Sequence, residues 1–294
     1  MSETTTRIER PDGTVLSLYA WMPATRPKAI VQVAHGMAEH GRRYARLGAA
    51  LVEVGYGVYA HDQRGHGHSV SSPAGLGVFG PDGWNAMVAD LSAVHEVVRT
   101  AHPGLPLVAL GHSMGSYALQ QLLLTESDRV AAAILSGSST LDMLAAGVDG
   151  SVPLSLALFN APFEPARTEF DWLSSDPAEV DVYVADPLCG FTVSAQSVTD
   201  MSKAGAVLAD PARLAGIRPD LPVYVLAGDA DPVNAELSLL HLLIERYEQA
   251  GLRNVTSRFY PGGRHEMFNE TNRDDVTREL IGWIERALQS GAAS

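Results

Sequence analysis

Apolar positions along the chain fall into two alternating patterns. Short runs that are apolar or β-branched, bounded by turn residues, occupy 29–35, 55–62, 106–112, 131–137, 222–229 and 255–261. Runs without polar alternation suit strands buried on both faces of a parallel sheet, where neither face meets water. Between most of them, at 42–55, 82–102, 234–251 and 274–290, apolar residues recur at three- and four-residue spacing, which predicts helices with one buried stripe. Such alternation predicts a mostly parallel sheet with crossover helices on both faces. Ahead of it, residues 7–23 read as two strands about Pro11-Asp12-Gly13, a leading antiparallel hairpin.

The alternation stops at residues 138–220. That stretch lacks a strong strand pattern, holds several short candidate helices, and is rich in Leu, Phe and Trp near 154–173. The expected organisation is therefore a core formed by 1–137 and 221–294, with 138–220 inserted over the sheet as a helical cap. No internal repeat or low-complexity linker interrupts it.

Composition narrows the picture. A chain of 294 residues, 46% hydrophobic, can bury one large core and carry an insertion. Its formal charge of −13 argues against nucleic acid or an anionic membrane as a main partner, since both select a basic face. The opening MSETTTRIER has no apolar signal-peptide core, and no later apolar stretch is long enough to span a bilayer, so a cytoplasmic location is expected. The single cysteine, Cys189, excludes an intrachain disulfide framework and leaves no Cys-rich metal signature; it reads as a core or cap thiol.

Candidate chemistry centres on Gly111-His112-Ser113-Met114-Gly115. The apolar run Leu107–Leu110 precedes it, and Ala118, Leu119, Leu122 and Leu123 follow at helical spacing, so Ser113 stands on a strand-to-helix turn. A nucleophile elbow needs that context: the glycines make room for a sharp turn that lifts the serine hydroxyl above the sheet. Serine is a poor nucleophile without a base, and the base needs an acid to hold its tautomer. Partners should lie just past the carboxyl ends of strands. After 222–229 come Asp229 and Asp231; after 255–261 comes His265. The order Ser, Asp, His is that of the α/β-hydrolase fold.

Five segments, AHGMAEHGRRY (34–44), AHDQRGHGHS (60–69), GHSMG (111–115), GDADPVN (228–234) and GGRHEMFNE (262–270), occur in this order. Together they resemble the α/β-hydrolases of the monoacylglycerol lipase and lysophospholipase group, the serine aminopeptidase-like family, from about residue 7 to 290. The resemblance implies Ser113, Asp231 and His265 as the catalytic triad, and leaves Asp229 to cap or brace its loop. It also implies an oxyanion hole formed by the backbone N–H groups of Met37, in the His-Gly-x-x-Glu-His segment, and Met114, at a helix N-terminus. Ser116 departs from the family's usual second glycine, though its small side chain still allows close packing. Ten histidines invite a metal reading, but no H-E-x-x-H helix occurs, and the resemblance assigns His35, His40 and His66 to loop bracing; no metal or cofactor is expected. Glu39, Asp62 and Arg64 read as structural polar contacts, and Arg64-Gly65-His66-Gly67-His68-Ser69 lacks the order of a phosphate-binding loop.

Leu154, Leu158, Phe159, Phe163, Phe170 and Trp172 in the insertion, with Met267, are the candidate apolar wall for an acyl chain. The expected function is serine carboxylic ester hydrolysis of lipid-like esters, monoacylglycerols or lysophospholipids, through an acyl-enzyme. The partners expected are that small ester or lipid and, transiently, lipid aggregates. The alternatives are a short-chain or specialised carboxylesterase or acyltransferase on the same fold, or a non-catalytic ligand-binding relative.

Overall fold

In the computed structural model the apolar runs pair into one eight-stranded sheet, and residues 2–147, 149 and 151–291 are described. Residues 1, 148, 150 and 292–294 of the expected core and insertion lie outside the described residues. The strands are β1 (Ser2–Glu9), β2 (Val15–Met22), β3 (Ile30–Ala34), β4 (Gly57–His61), β5 (Leu107–His112), β6 (Ala132–Ser136), β7 (Val223–Gly228) and β8 (Val255–Tyr260), in spatial order β1-β2-β4-β3-β5-β6-β7-β8. The leading hairpin is antiparallel and β2 joins β4 antiparallel; every later pairing is parallel. Register aligns Val33 with Leu110 and Leu110 with Ile134, so apolar side chains stack across the central strands.

Continuous apolar strands make sense once both faces are covered. Helices α1 (Ala45–Glu53) and α9 (Arg273–Gly291) cover one face, where Leu47, Leu51, Val276 and Leu280 pack on Val31, Val33 and Leu110. On the other face α2 (Gly83–Ala101), α3 (Met114–Glu126) and α8 (Ser238–Gln249) bury Leu91, Leu119 and Leu243 with Ile30 and Ala109. The two edge strands, β1 and β8, keep exposed centres.

The helix expected over 234–251 starts late. Pro232–Asn234 form a 3₁₀ turn, Ala235, Glu236 and Leu237 all take left-handed φ values of 50°, 54° and 68°, and α8 begins only at Ser238. The Asn234 side-chain oxygen accepts the Leu237 N–H at 2.8 Å, so a local polar bond competes with the helix that the apolar spacing alone predicts. Likewise a 3₁₀ turn, Gly41–Tyr44, precedes α1.

Between β6 and β7 the chain forms α4 (Leu141–Ala145), two 3₁₀ segments at Leu156–Phe163 and Asp171–Leu173, α5 (Pro177–Ala185), α6 (Ala195–Leu208) and α7 (Pro211–Leu214). A lone antiparallel bridge joins Leu154 to Val193. Asp176, Ser194 and Asp210 accept N–H groups at the starts of α5, α6 and α7, which is why such short helices hold in a polar-interrupted sequence. Among the described residues no helix is long and apolar enough to cross a membrane.

Candidate active site

Strand β5 ends at His112 and α3 begins at Met114, leaving Ser113 alone to make the turn at φ 50°, ψ −121°. A non-glycine residue holds such a conformation only where its surroundings impose it. They do so here: the Ser113 N–H donates to the Ser136 carbonyl at 2.9 Å, and its carbonyl accepts the Ser116 N–H at 2.8 Å. Both flanking glycines are required by close approach. A Cβ on Gly111 would lie 2.5 Å from the Gly115 carbonyl oxygen, and one on Gly115 would run into the carbonyls of Ala34 and His35. Gly115→Ala is therefore expected to force α3 away from the loop after β3, costing about 1–3 kcal/mol and slowing ester hydrolysis; thermal unfolding and steady-state kinetics measured together check both effects. Ser116, in place of a glycine, fits because its hydroxyl lies 2.6 Å from the Ser113 carbonyl oxygen and 2.8 Å from Ser138 Oγ.

Asp231 follows β7 and His265 follows β8, and the structure joins them: His265 Nδ1 lies 2.9 Å from Asp231 Oδ2, with both side chains buried. The other Asp231 oxygen accepts the Val233 N–H at 2.9 Å, fixing the carboxylate plane. Burial opposes a charged imidazole, but the Asp231 charge and hydrogen bond outweigh it, so the His265 pKa is raised above the ordinary 6.5. Asp229 instead accepts the Gly262 N–H at 2.7 Å and braces the loop before His265. Ser113 and His265 line one cavity with Met37 and Met114. The backbone N–H groups of Met37 and Met114 meet no protein acceptor among the described residues, and Met114 stands at the N-terminus of α3, where the helix dipole favours negative charge.

The loop carrying Met37 is held from beneath. His35 donates through Nδ1 to the Gly36 carbonyl at 2.7 Å and accepts the Gln63 N–H through Nε2 at 2.9 Å; burial keeps this ring neutral by lowering its pKa. His66 Nδ1 meets the Arg64 carbonyl at 2.9 Å. Asp62 accepts from Tyr19, Gly41 and His68, and Arg64 pairs with Asp90. Glu39 accepts the Gly36 N–H at 2.5 Å and the Tyr44 hydroxyl at 2.9 Å.

Two site residues escape a reading of the sequence. Arg43 donates to Glu39 at 2.6 Å and, through both terminal nitrogens, to Glu266 at 2.5 and 2.8 Å, with both carboxylates buried and the arginine part-buried. Burial pushes both carboxyls up; the two-pronged Arg43 pairing overrides it at Glu266, whose pKa falls to about 2, whereas Glu39, facing the Glu266 charge, remains raised. Since Glu266 adjoins His265 and Glu39 holds the Met37 loop, this one guanidinium ties together both sides of the cavity. The only signal in the sequence is that both charges fall inside motifs; their burial and pairing across 223 positions are not visible there.

Of the residues expected to form the apolar wall, Phe159 and Trp172 line the cavity, as does Leu154. Trp172 packs its ring 4.7 Å from that of His265. Four others do not. Leu158 is 47% exposed, because Leu156–Phe163 winds as a 3₁₀ helix in which Phe159 turns inward and its neighbour outward. Phe163 lies under the Arg264 guanidinium, 4.2 Å from ring centre to Cζ, and Phe170 packs against Tyr183. Met267 is fully buried on the α9 face of the sheet beneath Gly263. Leu141, Leu144, Leu156, Val198 and Met201 take their places along the wall.

The fold and this site define an α/β-hydrolase. The chain belongs to the Hydrolase_4 family, serine aminopeptidase S33, whose profile matches residues 25–272. It is 30% identical over 270 residues to a monoacylglycerol lipase of Mycolicibacterium smegmatis, covering 90% of each chain. With the human monoglyceride lipase it shares 29% identity over 96% of this chain and 91% of that one. A solved relative, a highly thermostable carboxyl esterase from Bacillus coagulans in complex with glycerol, superposes with a TM-score of 0.86 at 27% identity, covering 98% of this chain and 99% of that chain.

Proposed function

We propose that this protein hydrolyses carboxylic esters of medium or long acyl chains, monoacylglycerols foremost, by a two-step serine mechanism. The observation that carries the reading is the pairing of His265 with Asp231 beside a cavity in which Ser113 is bordered mostly by apolar side chains. Ser113 Oγ attacks the ester carbonyl as His265 takes its proton. Asp231 keeps the Nδ1 proton in place and stabilises the imidazolium. The tetrahedral oxyanion is met by the N–H groups of Met37 and Met114. His265 then protonates the leaving alcohol, and water, activated by the same ring, hydrolyses the acyl-enzyme. Residues 138–220 act as the cap that selects the acyl chain, with Leu141, Leu154, Leu156, Phe159 and Met201 forming its apolar path.

The test is a 4-nitrophenyl ester series from acetyl to palmitoyl, run beside 1-monoacylglycerol and lysophosphatidylcholine. Turnover that peaks at medium or long chains, with monoacylglycerol hydrolysed, supports the lipid reading. Turnover of short esters alone keeps the mechanism and moves the substrate to a small ester.

The raised His265 pKa makes a further prediction. The base works only when neutral, so kcat/KM should fall about tenfold per pH unit on the acid side, with a midpoint above the ordinary imidazole value of 6.5. A pH–rate profile on a soluble short ester locates it; a midpoint at or below that value would mean that Asp231 does not pair with His265 in solution.

A further inference from the structure

The loop after β3 and the chain following α5 meet beside the cavity, and three ligand-type side chains converge where they touch. The contact is fixed by two bonds to one carbonyl: Ala38 O accepts the Tyr183 hydroxyl at 2.8 Å and the Gly190 N–H at 2.9 Å. Around it His40 Nε2 lies 2.9 Å from Asp186 Oδ2, and a ring nitrogen of His40, a carboxylate oxygen of Asp186 and the Cys189 sulfur all fall within 4.8 Å of one another. We propose that His40, Asp186 and Cys189 form a binding site for a borderline divalent cation, of which zinc is the natural occupant, its fourth position taken by water.

The donor set is one imidazole nitrogen, one carboxylate oxygen and one thiol sulfur, which suits zinc and disfavours magnesium or calcium, both of which select oxygen. Tetrahedral zinc at about 2.0–2.3 Å from each ligand sets its donors about 3.3–3.6 Å apart by simple geometry. From their present spacing of at most 4.8 Å the donors would have to draw in to that arrangement, the His40–Asp186 hydrogen bond being replaced by two metal bonds. Local charge favours a cation: Glu39, Glu266 and Asp186 stand around a single guanidinium, Arg43. Access is open, since the Asp186 side chain is 29% exposed. The thiolate is the metal-binding form of cysteine, so binding would release the Cys189 proton to solvent.

No ligand spacing along the sequence signals this site, because its members are 146 residues apart across two segments that meet only in the fold. It stands on its own geometry and holds whether or not the proposed lipid substrate is correct. A cation here would pin the segment 183–190 to the loop bearing Met37.

The experiment titrates the full-length protein with Co²⁺ and with Zn²⁺ against a chromophoric chelator. The expected result is one equivalent bound, with a near-ultraviolet thiolate-to-cobalt charge-transfer band and an unfolding temperature raised by Zn²⁺. Cys189→Ser should abolish the band, and Cys189→Ser and His40→Asn should each weaken zinc at least tenfold. Cobalt bound without the band, or zinc affinity unchanged in both variants, would place the metal on exposed histidines such as His68 and overturn the site. Metal-free unfolding temperatures of the two variants show that each is folded when tested.

Discussion

Ser113→Ala is expected to lower kcat for ester hydrolysis by about a millionfold while leaving a residue of activity above the uncatalysed rate, because the proposed oxyanion donors and the cavity persist. The same position supplies a second readout that a bystander serine would not. Ser113 sits at φ 50° with a Cβ, a strain of about 1–3 kcal/mol. Alanine keeps the Cβ and so keeps the strain. Ser113→Gly removes both hydroxyl and Cβ and should be equally inactive yet more stable than wild type by up to that amount. Chemical denaturation of the three proteins, alongside their kinetics and labelling of the wild type by an organophosphonate, checks the pair of effects. Retained turnover in Ser113→Ala would sink the proposed nucleophile, and labelling at another residue would relocate it.

Arg43→Met should cause the largest loss of stability of any single substitution proposed for this site, about 3–5 kcal/mol, because it leaves two carboxylates buried without their counter-charge. Glu39 and Glu266 share no other cationic partner among the described residues. The pH dependence identifies the cause. In the wild type Glu266 is held down at about 2; a depressed carboxyl contributes stability that is complete above its unfolded value near 4.5 and is lost as pH falls toward 2. Without Arg43, burial raises the Glu266 and Glu39 pKa values, so the variant gains relative stability as protons bind. The gap between the two proteins should therefore be widest near neutrality and narrow through that acid window. Arg43→Lys keeps the charge but cannot pair in two prongs, and should fall between them. Denaturant titrations at pH 7 and at pH 4 measure the gap, and a loss below about 1 kcal/mol at pH 7 would mean that water reaches the carboxylates. Activity should fall with stability, since Glu39 holds Gly36 next to the Met37 N–H.

Much of this molecule is legible along the chain because the physics that sets it is local. An apolar run at 107–110 cut by Gly111 and resumed at helical spacing can only bury both parts if the chain turns at Ser113. The other strands announce themselves the same way, and His265, with Asp229 or Asp231, is found by asking what stands just beyond the ends of β7 and β8; the choice of Asp231 comes from the family resemblance. The helix expected from residue 234 shows where local reading fails: apolar spacing says helix, while the Asn234 side chain takes the Leu237 N–H and delays it to Ser238.

What tertiary structure alone decided is direction and burial. Composition marks 154–173 as apolar, but whether Phe159 or Leu158 faces the cavity depends on a 3₁₀ winding that no periodicity announces, and Phe163, Phe170 and Met267 are claimed by Arg264, Tyr183 and the opposite face of the sheet. Arg43 looks in sequence like any surface arginine. It becomes the centre of the site because Glu266 reaches it from 223 residues away, and His40 meets Asp186 across 146. Hydrophobic patterning acts between neighbours a few residues apart and is written into the chain; the pairing of buried charges acts through space, in a low dielectric that exists only after the chain has folded.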